Sequence, residues 1–179
     1  GTHIDTLSLT KNTNNVRVIL QHLSGIDVDK DLFRFEIKDQ NGFMAHDNSL
    51  LEDEVLTYSP WGVTAGTAGI DSDIYDTKAP QTSVSVALAE FTIGRIMTSN
   101  NPVLSIYNVK EEELVLSIPL KDYALLIKGY YNRNMSDQEY LDRQDEYNMT
   151  FFLDEFGNWA SSRVIINSWN VILQETDFQ

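Results

Sequence analysis

"DLFRFEIK", residues 31–38, sets the reading of the whole chain. Phe33, Phe35 and Ile37 fall on one side of an extended backbone and Arg34, Glu36 and Lys38 on the other. That period of two is what a half-buried strand requires. "DQNG" follows at 39–42, and Asn41-Gly42 signals a hairpin because both residues tolerate positive φ. "FMAH" at 43–46 is then the expected return strand. The pattern recurs outward in both directions. "NVRVILQHL" at 15–23 carries Val16, Val18 and Leu20 on one face, and "SVSVALAEFTIGRIM" at 83–97 alternates through Val84, Val86 and Leu88. "VLSIYNV" and "LVLSIPL" come next, divided by the acidic turn "KEEE". Near the end "YNMTFFLD", "WASSRVII" and "WNVILQ" are three further strands, with "DEFGN" at 154–158 as the turn between the first two.

Nine or ten short strands at regular spacing predict an all-β fold, an antiparallel sandwich or barrel. Helix is expected only at 136–146 and briefly within "KDYALLIKG" at 121–129. No alternation of strand and helix is present, which argues against a nucleotide-type α/β sheet. Residues 62–82, "GVTAGTAGIDSDIYDTKAPQT", show no period and are expected to form a long mobile loop. With 179 residues the chain reads as a single domain over 2–179, long enough to bury a core without staples. Gly1 reads as a cloning remnant rather than a native start.

Composition narrows the chemistry. The absence of cysteine excludes disulfides, zinc–thiolate sites and thiol catalysis within these residues. A net charge of -14 repels phosphate backbones and anionic lipid, so nucleic acid is not an expected partner. There is no G-x-S-x-G elbow, and His3, His22 and His46 share no ligand spacing. "DVDKDLFRFEIK" at 27–38 starts like a calcium loop with Asp27, Asp29 and Asp31. It then places Leu32 where glycine belongs and Lys38 where the bidentate glutamate belongs, so it reads as a turn before a strand. "GVTAGTAG" lacks the lysine-serine ending of a phosphate loop. Trp61, Trp159 and Trp169, with Tyr130 and Tyr131, are candidates for a sugar-stacking platform, against packing at strand starts. Asn134 and Asn148 each open a glycosylation sequon.

The densest chemistry is "MSDQEYLDRQDEYNMTFFLD" at 135–154. Ser136 and Glu139 have capping-box spacing, Met135 and Tyr140 have staple spacing, and Glu139 stands four residues before Arg143. These devices describe a short helix feeding a core strand. They leave Asp142, Asp145 and Glu146 unexplained. Asp142 and Glu146 at i,i+4 are an acid pair or a weak cation site if both lie on the helix.

The passage "MSDQEYLDRQDEYNMTFFLDEFGNW" resembles a signature of the fimbrillin-associated anchor proteins of Bacteroidales, the FimB-type family. "LTKNTNNVRVILQHLSG" at 9–25, "FEIKDQNGFMAHDNSLL" at 35–51, "VLSIPLKDYALL" at 115–126 and "INSWNVILQETDF" at 166–178 keep the order of that family. The resemblance covers nearly the whole chain apart from 62–82. It implies a Greek-key, transthyretin-like β-sandwich with one short helix, standing as the second, C-terminal domain of a two-domain outer-membrane protein. It further implies a non-enzymatic fimbrial anchor or assembly protein with fimbrillin subunits as partners, strand exchange as the mode of assembly, and no catalytic, metal or cofactor residues. Membrane attachment in that family comes from a lipidated N-terminal cysteine, which these residues lack. The rival expectation is a carbohydrate-binding module built on the tryptophans.

Overall fold

The computed structural model describes residues 12–39, 55–69, 83–129 and 133–173. In chain order the strands are β1 (Thr13–His22), β2 (Phe33–Asp39), β3 (Leu56–Tyr58), β4 (Gly62–Gly69), β5 (Ser83–Gly94), β6 (Val103–Asn108) and β7 (Glu113–Pro119). Two short helices come next, α1 (Leu120–Leu125) and α2 (Asp137–Arg143), and then β8 (Glu146–Leu153), β9 (Trp159–Ile166) and β10 (Trp169–Ile172). A 3-10 turn, Lys30–Leu32, precedes β2. The strands form two sheets, one of six in the order β10-β9-β8-β1-β5-β4 and one of four in the order β3-β2-β6-β7. The all-β sandwich predicted by the alternation is the observed architecture.

The alternation also locates the core. Phe35 and Ile37 on β2 are buried against Leu104 and Ile106 of the neighbouring β6 and Leu116 and Ile118 of β7. The six-stranded sheet answers with Val16, Val18 and Leu20 from β1, Ala87, Ala89, Phe91 and Ile93 from β5, and Tyr147, Met149 and Phe151 from β8. Tyr123 of α1 tilts over Phe151 at 6.0 Å between ring centroids. On β5 the inward residues are the odd-numbered ones. The Ile19↔Leu88 register turns Val84, Val86 and Leu88 to the outer face, so the most aliphatic positions of that strand are not its core face.

The antiparallel expectation holds for every pair but one: β1 and β8 run parallel, with Val18 opposite Met149. A parallel pair needs a crossover, and here it is the passage through β2–β7. β7 returns to the end of the sandwich where β1 and β8 both begin, and α1 and α2 lie at that end before β8 starts.

The loop expected at 62–82 is corrected over its first part. Gly62–Gly69 is a strand, paired antiparallel with β5 from Gly62↔Glu90 to Gly69↔Ser83. Its Gly, Ala and Thr side chains are too small to show an apolar period, yet the backbone pairs regardless. A Cβ on Gly66 would stand 3.1 Å from Val86 Cγ2, so small size there is a packing requirement. Residues 70–82 lie outside the described residues, as do Asn41-Gly42 and "FMAH"; the strand seen beside the end of β2 is β3, with Ile37 opposite Tyr58.

The sandwich has two unlike ends. At one, the Tyr58 hydroxyl accepts from Gly94 N at 2.9 Å and ties the sheets together beside α1 and α2. At the other, three turns close the strands: 23–32 between β1 and β2, 109–112 between β6 and β7, and 154–158 between β8 and β9. There Val28 N donates to Ser85 O and Val109 N to Leu32 O, both at 2.9 Å.

Candidate functional site

The carboxylates of 135–154 part company in the structure. Ser136 caps α2 as its spacing predicts, its Oγ accepting from Glu139 N at 3.1 Å, and Tyr140 and Leu141 are buried beneath the helix. The helix stops at Arg143 because β1 captures the next two residues. Asn14 Nδ2 donates to Gln144 O at 2.8 Å and Asn15 N to Asp145 O at 3.1 Å. Glu146 is therefore the first residue of β8, and the i,i+4 relation with Asp142 does not exist. Asp142 instead takes both nitrogens of the Arg95 fork, at 2.7 and 2.6 Å, and a third bond from Gln138 Nε2 at 3.1 Å. Hydrogen bonding to Asp142 holds the Arg95 guanidinium above its ordinary range. This is a fastening of α2 to the end of β5, and it engages both carboxylate oxygens of Asp142 in hydrogen bonds within the fold. The ion pairs of α2 run to other elements: Lys128 reaches Asp137 at 2.7 Å, rather than Arg143 reaching Glu139.

The other motifs settle as turn chemistry. Asp29 accepts from Asp31 N at 3.0 Å and caps the 3-10 turn, and Asp27 accepts from Ser85 N at 2.7 Å. His22 sits half-buried with Nδ1 3.3 Å from Asp154 O; burial pushes its pKa down more than that carbonyl raises it. Among the described residues no three His, Asp or Glu side chains group as metal ligands. His3, His46, Tyr130 and Tyr131 lie outside the described residues.

The tryptophans do not share a plane. Trp159 packs against the core, its indole N–H buried without a hydrogen-bond partner among the described residues. Trp61 and Trp169 are 67% and 56% exposed. They border β4 and β10, opposite edges of a six-stranded sheet, on the order of 24 Å apart at strand spacing. Trp61 does border a polar cleft of about 440 Å³ on the outer face of that sheet, lined also by Asn15, Arg17, Glu90, Thr92 and Glu146. Arg17 holds Glu90 there at 2.8 Å and stands 3.9 Å from Glu146. Thr92 donates to Asn15 at 2.9 Å. Further along β1 the same face turns apolar, with Ile19, Val86, Leu88, Phe152 and Ile165 around a second cleft of about 380 Å³. Periodicity alone missed this face because its apolar residues come from strands whose other side is also apolar.

Sheet edges are the remaining feature. Among the described residues β10 pairs only with β9, and β4 only with β5. Neither "WNVI" nor "GVTAGTAG" contains the charge or proline that ordinarily blunts an edge. On the smaller sheet β7 ends in Pro119 and β3 is three residues long, which are two common forms of protection.

Known proteins share this architecture. A family model described as fimbrillin-A associated anchor proteins Mfa1 and Mfa2 matches residues 1–175. Among solved structures, an adhesin candidate from Bacteroides thetaiotaomicron superposes with a TM-score of 0.76 at 36% identity, covering 91% of this chain and 53% of the other. A candidate polysaccharide-binding protein from the same organism gives 0.66 at 29% identity, covering 93% and 52%. The fimbrial anchor protein Mfa2 from Porphyromonas gingivalis gives 0.53 at 12% identity, covering 91% and 49%, a likeness of fold. The chain thus spans about half the length of these relatives. No curated protein matches it.

Proposed function

Since the chain belongs to the fimbrillin-A associated anchor protein family, we propose that it is the partner-binding sandwich of a non-enzymatic fimbrial anchor at the bacterial outer membrane. In this reading it is the second domain of a two-domain protein and holds fimbrial subunits by pairing a strand along an open edge of the six-stranded sheet. The observation that carries the reading is β10. Among the described residues it is an edge strand with Trp169 and Ile172 exposed and no gatekeeping charge. An added strand gains main-chain hydrogen bonds along β10, and the alternating Trp169 and Val171 side chains give it register. A proline at Ile172 tests this. Leu173 N donates to Ser162 O at 2.8 Å, so in the antiparallel β9–β10 register the N–H groups of Val171 and Leu173 face β9 and that of Ile172 faces the open edge. A proline at 172 removes an outward donor only. Co-purification of the full-length protein with its fimbrial subunit is expected to be lost while the fold is kept. Undiminished co-purification sinks edge pairing at β10.

A second reading is favoured by one observation, the exposed Trp61 at the rim of a cleft holding Asn15, Arg17, Glu90 and Glu146. An aromatic face beside convergent polar groups suits a sugar ring. Quenching of tryptophan fluorescence by soluble polysaccharide, abolished in Trp61→Ala, supports it; an unchanged emission spectrum across a glycan panel removes it.

A further inference from the structure

We infer that the end of the sandwich opposite the helices is a docking surface for a protein whose contacting face is basic around apolar sockets. Three turns meet at this end, and each presents a large apolar side chain to solvent: Ile26 is 55% exposed, Val109 47% and Phe156 79%. Apolar groups at loop tips gain nothing for the isolated fold, and Phe156 is held out rather than left loose. Its own N–H and that of Asn158 both donate to Asp154 Oδ1 at 2.9 Å, Asp154 N donates to Asn158 O at 2.7 Å, and Gly157 N donates to Asp154 O at 3.1 Å. Gly157 at φ 80° permits the turn. A turn backbone fixed in this way needs little further ordering of main chain on docking. Beside it lies a cleft of about 350 Å³ lined by Leu23, Ser24, Asp154, Glu155 and Phe156. The Ser24 hydroxyl is buried there and has no hydrogen-bond partner in the described chain.

Charge names the partner. Residues 23–32, 109–113 and 154–158 hold eight carboxylates and two lysines, and Lys30 is already engaged by Asp31 at 2.9 Å. The opposite end differs. Over the described parts of 95–102 and 119–145 there are five acidic and five basic residues, with Arg95–Asp142 and Lys128–Asp137 paired. The acidity is therefore local to the turns that expose Ile26, Val109 and Phe156, beyond what the overall charge imposes. Apolar anchors inside a ring of one sign select a complementary ring of the other. The same field repels anionic bilayers and nucleic acid. Edge pairing at β10 reads backbone; this surface reads side chains, and it does not depend on that pairing.

The test places a photo-crosslinking benzoylphenylalanine at residue 156 of the full-length protein in cells, with the same probe at residue 169 as a separate arm. The captured partner is then purified. Its affinity is measured at about 0.05 M and 0.5 M NaCl for the wild type, Phe156→Ser, and the triple change Glu111→Lys, Glu112→Lys, Glu155→Lys. The expected result is a 156 adduct to a segment with Lys or Arg flanking apolar residues. Binding is expected to weaken about tenfold in Phe156→Ser and about as much in the triple change and at the higher salt, with the melting temperature of each variant unchanged. A product at residue 156 without one at 169 supports this surface while removing edge pairing at β10. A product at 169 alone, a lipid adduct, an acidic captured segment, or salt-independent affinity overturns the inference.

Discussion

The two ends of the sandwich solve opposite problems. At the helical end polar groups are turned inward and matched. Arg95 grips Asp142 with two short bonds, Gln138 bridges Asp142 and Ile96 O, and Asn14 receives Ile96 N on one side while donating to Gln144 O on the other. At the turn end the polar groups cap local backbone and the apolar groups are left outside. Fastening and presentation are separate duties, and this fold assigns one to each end.

The largest difference between the two ends is expected on truncating a buried residue at one and an exposed residue at the other. Leu141→Ala, beneath α2 and 1% exposed, is expected to cost about 2–5 kcal/mol in urea denaturation, whereas Phe156→Ala is expected to stay within about 0.5 kcal/mol. A large loss in Phe156→Ala breaks the distinction. Next in size, Ser136→Ala removes the cap of α2 and is expected to lower stability by about 1 kcal/mol. Asp142→Asn dissolves the bidentate pair with Arg95, which is partly exposed, and about 1 kcal/mol is expected there too. Equal losses in Asp142→Asn and in Asp142→Asn with Arg95→Gln show that the two residues act as one fastening.

The smallest effect concerns pH at the turn end. Burial lowers the pKa of His22 in the folded chain below its ordinary value of 6.5. The unfolded chain therefore takes up a proton first as pH falls. The stability conferred by neutral His22 is present above about pH 6.5 and is lost below it, until the lower folded pKa is passed. A chemical-denaturation series from pH 7.5 to about 5.5 is expected to show a decline in stability from this group as the pH falls, absent in His22→Gln. Tyr123, pushed up to about 12 by burial, is expected to stay protonated through the alkaline range, as an absorbance titration of the phenols checks.

How much of the fold was legible in the sequence depends on how local each signal is. The inward faces of β1 and β2 were legible because alternation is a property of neighbouring residues, and the cap at Ser136 because it spans three positions. β4 was hidden because its stability comes from hydrogen bonds to β5 and close contact at Gly66, neither of which leaves a mark in hydrophobicity. The end of α2 was hidden for a similar reason: the residues that stop it, Asn14 and Asn15, lie about 130 positions earlier. The outer-face clefts and the acidic end have no sequence signature, since each collects residues from strands or turns far apart in the chain.

The amino-acid order by itself therefore determined a two-faced, strand-built chain without thiol chemistry, strongly acidic, carrying the wording of an anchor family. Only the tertiary structure decided that β8 runs parallel to β1, that Asp142 belongs to Arg95, and that Ile26, Val109 and Phe156 share one end. Side-chain period is fixed over a few residues, but partnership between distant segments depends on register and crossover, which local sequence does not encode.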